Sequence, residues 1–258
     1  MRHFRNHMGK MQRMMPQPRT FIMLLTTLVM MNPLVARGET DSLLTQHEKY
    51  IITIASYTAK PDLGRLKEVI AEALQSGLTV NQIKEVQVHL YAYCGFPRSI
   101  RGLQTLMQVL EERRAKGIND VAGPDAGPID DTLSKYDRGR NTLGRLTNLR
   151  QERPRSGYGA FAPIIDTFLK EHLFADIFDR DVLTYSEREW VTISVLSAIG
   201  SAEPMLKSHF GICLNLGIKP SKLYDFTRTV DALSGHEASV SAKKVLDELM
   251  DEARHPKR

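Results

Sequence analysis

The amino-acid sequence predicts an all-α chain made of two tandem helical repeats, from three observations. The first is self-similarity at a constant offset of 140 residues: residues 64–110 and 204–250 align without a gap, with LKEVIAEALQSGLTVNQIKE lying over LKSHFGICLNLGIKPSKLYD. Identities are few, among them Leu66/Leu206, Leu74/Leu214, Ala92/Ala232 and Leu106/Leu246, but apolar character coincides too, as in Ile70/Phe210 and Val86/Phe226. The second is helical periodicity, with apolar residues recurring at three- and four-residue steps throughout both copies. The third is punctuation: Gly77/Gly217 and Gly95/Gly235 stay in register as helix breaks. Two copies are too few for a solenoid, so the expected arrangement is a pseudo-dimer of packed repeats.

The elements follow in chain order. The run YIITIASYTA at 50–59 is β-branched, but its length and helical surroundings argue for a buried helix. Leu63, Leu66, Ile70, Ala73 and Leu74 mark an amphipathic helix that Gly77 ends with a left-handed cap. Thr79 and Gln82 read as a capping box opening the next helix through Val86, His89 and Leu90. Gly95 and Pro97 break it, and a third helix carries Ile100, Leu103, Met107 and Leu110 on one stripe. Residues 117–127, GINDVAGPDAG, form an exposed linker. The Lys- and Arg-rich stretch 135–156 is a solvated helix face or a basic patch for an acidic ligand. A new apolar pattern starts at Tyr158 with Phe161, Ile164, Ile165 and Phe168. WVTISVLSAI at 190–199 is a second buried helix, and the second repeat then copies the first, with Ser221 as a cap and Gly235 as the break.

The N-terminus has another purpose. Arg2, Arg5, Lys10, Arg13 and Arg19 precede an apolar run at 21–31, and Val35-Ala36-Arg37-Gly38 places small residues before a cut after Gly38. That is the pattern of a secretory signal peptide. As a helix the run would be about 16 Å long, against a bilayer core of about 30 Å. The expected organisation is therefore a signal peptide at 1–38, a first repeat at 39–116, a linker with a connecting helix at 117–157, a second repeat at 158–251 and a tail at 252–258. The mature protein is expected in the periplasm or outside the cell, with no membrane attachment after cleavage. Residues 1–38 hold six Lys/Arg and no acid, so cleavage takes the formal net charge from +5 to −1. The basic character belongs to the leader, and nothing calls for nucleic acid. Cys94 and Cys213 stand at non-equivalent positions, where a disulfide is open but not implied.

At Asp137-Arg138-Gly139, at 174–197 and at 206–220 the chain resembles the carboxymuconolactone decarboxylase family, part of the AhpD-like helical superfamily. The matching elements are Asp137-Arg138-Gly139, then Phe178, Arg180 and Leu183, then Arg188-Glu189-Trp190-Val191-Thr192. Leu206-Lys207-Ser208-His209 and Asn215-Leu216-Gly217-Ile218 complete the series. In the first repeat Tyr93-Cys94-Gly95-Phe96-Pro97 matches the family's Tyr-x-Gly-x-Pro. The resemblance covers about residues 45–250 and implies an AhpD-like fold of two repeats, assembled as a homotrimer with pseudo-sixfold order. It also implies a cofactor-independent lyase acting on a small cyclic carboxylic acid or lactone. Decarboxylation leaves a carbanion delocalised into the lactone carbonyl, so neither metal nor organic cofactor is implied. A histidine suits delivery of the proton to carbon.

His209, on a helix otherwise carrying Leu206, Phe210 and Leu214, is the candidate proton donor; the first repeat has Val69 in its place. Glu189 either orients His209 or simply favours its helix N-terminus behind a Ser186 cap. Arg188 is a carboxylate anchor or half of a solvated ion pair. Cys94 faces the pocket or serves as a small buried hydrophobe. His89 and His236 read as surface or packing residues. The peroxidase branch of the superfamily carries Cys-x-x-Cys-x-x-x-His, and the two cysteine positions counted back from His209 hold Ala202 and Met205. Two-thiol peroxide chemistry therefore has no nucleophile here. A small-ligand binding protein or a structural oligomer remains the alternative to the lyase.

Overall fold

The computed structural model describes residues 43–255 apart from 155. The signal-peptide reading falls outside them. Among the described residues all regular structure is helical, comprising eleven α-helices and one π-helical segment, with no strand. None of these helices is long and apolar enough to cross a membrane.

Four helices, α1 (Gln46–Ala59), α2 (Leu63–Gln75), α3 (Val80–Cys94) and α4 (Phe96–Ala115), pack together. A connecting group follows: α5 (Lys135–Thr147), α6 (Gly157–Phe161), α7 (Pro163–Phe168) and the π-helical segment Leu169–Ile177. Four more complete the chain: α8 (Tyr185–Ile199), α9 (Glu203–Asn215), α10 (Pro220–Ser234) and α11 (His236–Arg254). The two sets of four meet through α1 against α8, α3 against α8 and α1 against α10, over one shared core. Helix α5 lies along the π-helical segment over a smaller core of Leu146, Leu173, Phe174, Ile177, Phe178 and Ile212.

Helix α8 is the centre of the molecule. All its residues from 188 to 198 are buried, so the β-branched run is enclosed on every side, as a helix without a polar face must be. Two of its buried hydroxyls bond back one turn, Thr192 Oγ1 donating to the Arg188 carbonyl (2.9 Å) and Ser194 Oγ to that of Trp190 (2.6 Å), while Ser197 Oγ is buried without a partner.

Local signals explain most boundaries. Thr79 and Gln82 form the expected capping box at α3, and equivalent boxes open α1 (Thr45, Glu48) and α8 (Thr184, Glu187). The segment after α4 has no regular structure, yet it is tied to α3: the Val80 and Asn81 N–H groups donate to the carbonyls of Val121 and Ala122. Those are orphan donors of a helix N-terminus, satisfied by the linker.

Several expectations need correction. The α8 cap is Thr184 rather than Ser186, and α10 starts at Pro220 behind Lys219, so Ser221 lies within the helix. The apolar stripe on α4 is not its inner face: Ile100 and Met107 are exposed, while Ser99, Gly102, Thr105, Leu106 and Val109 are buried. A Cβ on Gly102 would lie 2.1 Å from Gln87 Oε1, so the amide end of that side chain would have to shift to admit one. Phe161, Ile164, Ile165 and Phe168 also point outward. Helix α11 continues to Arg254, past the expected end of the second repeat. Both cysteines are free thiols.

Candidate active site

Helices α8 and α9 pack against each other and bring Glu189 and His209 together. The Nδ1–H of His209 donates to Glu189 Oε2 across 2.8 Å; Glu189 is fully buried, and the imidazole keeps 12 % of its side-chain exposure. This bond fixes the tautomer and leaves Nε2 for chemistry; among the described residues it has no hydrogen-bond partner. The second carboxylate oxygen, Oε1, is buried without a partner. The Tyr93 ring, from α3, lies edge-on to His209 with centroids 5.7 Å apart. Its hydroxyl is buried with no hydrogen bond of normal geometry. Burial first and the Glu189 charge second push that phenol well above its ordinary range, so it stays neutral.

The neighbouring residue in sequence does something different. Arg188 turns toward α3, where its Nη2 donates to Glu85 Oε1 (2.8 Å) and its Nη1 lies 3.3 Å from His89 Nδ1. Arg188 is wholly buried, and of its donors only Nε lacks a partner. Neither a solvated ion pair nor an open carboxylate anchor describes it. His89 is wholly buried too and accepts from Arg188, so its Nε2–H donates to Thr192 Oγ1 (2.9 Å). Burial, then the Arg188 charge, hold this imidazole far below its usual pKa and keep it neutral.

His89 is not a surface residue: of the two readings the sequence leaves, packing holds, its ring lying against Tyr93 and Phe178. It is also a bonded member of a network through Glu85, Arg188 and Thr192. The available signal was a histidine in the apolar stripe of α3, one turn before Tyr93. His236 is exposed, bonded only to Asp231 (2.9 Å).

Neither cysteine joins the His209–Glu189 pair by a hydrogen bond. Cys94 Sγ donates to the Leu90 carbonyl (3.3 Å), and burial pushes its thiol up to about 11. Cys213 is fully buried, and burial raises its thiol further. Both thiols are therefore protonated and poorly nucleophilic at neutral pH.

A cleft of about 830 Å³ lies elsewhere, between α5 and residues 178–185, and neither His209 nor Glu189 lines it. Among the described residues the His209–Glu189 pair joins a partly accessible imidazole to a fully buried carboxylate. Compared with models of known families and with curated proteins, the chain matches none.

Proposed function

We propose that this protein is an exported, cofactor-independent lyase of the carboxymuconolactone decarboxylase type, acting on a small cyclic carboxylic acid or lactone. The observation that carries the reading is the desolvated Glu189 bonded to Nδ1 of a partly accessible His209. In the proposed reaction the substrate carboxylate leaves as carbon dioxide and its bonding pair passes into the ring carbonyl. Protonated His209 then delivers its Nε2 proton to carbon, while Glu189 holds the ring and offsets the imidazolium charge.

The proposed duplication has independent support. Helices α2, α3 and α4 start at 63, 80 and 96, and α9, α10 and α11 at 203, 220 and 236. Two tertiary bonds recur at the same offset: Lys67–Glu112 with Lys207–Glu252, and Ser99 to the Gln87 carbonyl with Ser239 to that of Thr227. Each capping glutamate is also held from the other half, Glu48 by Trp190 and Lys222, and Glu187 by His47. This reciprocity suits two AhpD-like repeats facing each other. Three such chains would make the homotrimer, in the periplasm or outside the cell.

The test is a screen of lactone and β-keto acids for carbon dioxide release, comparing wild type with His209→Ala at a temperature where both are folded. Proton delivery by a positioned acid is worth roughly 10²–10⁴ in rate, so the variant should lose at least about a hundredfold. Unchanged activity moves the chemistry away from His209. No turnover on any acid leaves the small-ligand binding or structural role.

A further inference from the structure

The cleft beside α5 is separate from the His209 pair, and its charges are unevenly spent. Of its three acids only Asp179 meets a cation, and the other two accept from backbone N–H groups. Asp179 takes Arg138 Nε (3.1 Å), Asp181 takes the Gly127 N–H (2.8 Å), and Asp130 takes the Thr132 N–H (3.0 Å). Of its cations, Arg138 is the one paired within the cleft. Arg180 shares the single carboxylate of Glu85 with wholly buried Arg188, so two guanidiniums divide one counter-charge. Arg145 has only neutral partners: the Thr142 hydroxyl at 3.2 Å, the Tyr185 hydroxyl at 3.1 Å and the Tyr185 ring at 5.8 Å. No carboxylate pairs with it among the described residues.

We propose that this cleft binds a small organic carboxylate, its head held by Arg145 and Arg180 and its apolar body against the exposed Ile129 and Leu133. Arg145 comes from α5 and Arg180 from the turn before α8, so the two guanidiniums approach from different elements. A guanidinium offers paired N–H donors that match a carboxylate, and Arg145 is pre-set by its two hydroxyls. The side chains between them supply the apolar lining that small-ligand sites use, in a volume within their usual range of about 300–1,000 Å³. The sequence elements around Arg138 and Arg180 thereby acquire a role that the His209 chemistry does not use. The inference does not depend on the lyase reading.

Titration calorimetry of the full mature chain with benzoate and with inorganic phosphate tests it. Expected is benzoate binding that weakens at least about tenfold in Arg145→Gln, with Arg145→Lys in between and wild-type thermal melting for both, since the side chain is exposed. Leu133→Ala, at an exposed position, should weaken benzoate more than phosphate. Absence of benzoate binding at millimolar concentration, or equal binding by Arg145→Gln, overturns the proposal. Phosphate binding as tight as benzoate, or tighter, overturns the organic-carboxylate class. Benzoate binding that His209→Ala loses and Arg145→Gln keeps would belong to the lyase site and overturns this proposal, so failure of the lyase assay and failure of this site are read separately.

Discussion

His209 and Glu189 depend on each other unequally, because the carboxylate is fully buried while the imidazole reaches solvent. Removing the imidazole leaves a buried carboxylate without its one hydrogen bond. His209→Leu should therefore cost about 3 kcal/mol, and adding Glu189→Leu should recover most of it. Urea unfolding of the two single variants and the double variant checks this; equal losses that simply add would show that the pair is not coupled. His89 gives a pH dependence of definite sign. Its folded pKa lies below the unfolded value near 6.5, so above that pH both states are neutral and stability is unaffected. Below it only the unfolded chain takes the proton, and stability falls by up to about 1.4 kcal/mol per pH unit until the depressed folded pKa is reached. His89→Gln should flatten the loss between pH 6.5 and 5 in denaturant melts. An unchanged slope would place the acid sensitivity elsewhere. His209 stood out through the family resemblance rather than through its spacing, and Glu189 was open between orienting it and favouring a helix N-terminus; the contact of the two across α8 and α9 is what the structure adds. Arg188 was misread, and the bonds of His89 were missed, because their partners, Glu85 and each other, come from helices about a hundred residues apart, and no local spacing records that.

At the scale of elements, helix positions followed from periodicity and caps, and the errors occurred where apolar side chains do not mark the buried face. Helix α4 turns Ser99, Gly102 and Thr105 inward because α3 comes close along that line; Ser99 Oγ donates to the Gln87 carbonyl at 2.8 Å. A hydrophobic count cannot detect contact made by small residues. The approach of α5 to the π-helical segment is tighter still. A Cβ on Gly139 would sit 1.8 Å from the Lys170 carbonyl oxygen, and backbone cannot rotate aside as a side chain can. Lys170 is itself fixed, its Nζ bonded to Asp166 at 2.6 and 2.8 Å and to the Tyr136 hydroxyl at 3.1 Å. Gly139→Ala should thus force α5 away and cost about 3 kcal/mol, the upper part of the usual overpacking range. Gly64→Ala is the control, since the nearest atom to its Cβ is 3.9 Å away. Thermal melts that rank the two variants equally would show that α5 is free to shift. On the far wall of α8, Ile193→Ala should cost about 2–5 kcal/mol through the cavity it leaves.

At the scale of the whole molecule, an apolar surface remains for which one chain has no use. Tyr158, Phe161, Ile164, Ile165 and Phe168 are all exposed along α6 and α7, Phe161 by 93 %, and Phe96, Ile100 and Met107 are exposed on α4. Exposed apolar side chains clustered on one short segment, as on α6 and α7, are the kind of surface that a partner copy would cover. With a formal net charge of −1 after the proposed cleavage, charge repulsion offers little resistance to self-association. The proposed trimer would cover the α6–α7 face with a neighbouring copy. A stable interface buries about 800 Å² on each partner, and these aromatic and aliphatic side chains are the type that anchor one. Light scattering of the mature chain at micromolar concentration should give three times the chain mass. Phe161→Asp with Ile165→Asp should lower it to one chain mass without changing the helical circular dichroism, since neither side chain is needed inside the fold. A monomeric wild type would sink the trimer, and a trimer indifferent to both substitutions would move its interface off α6 and α7.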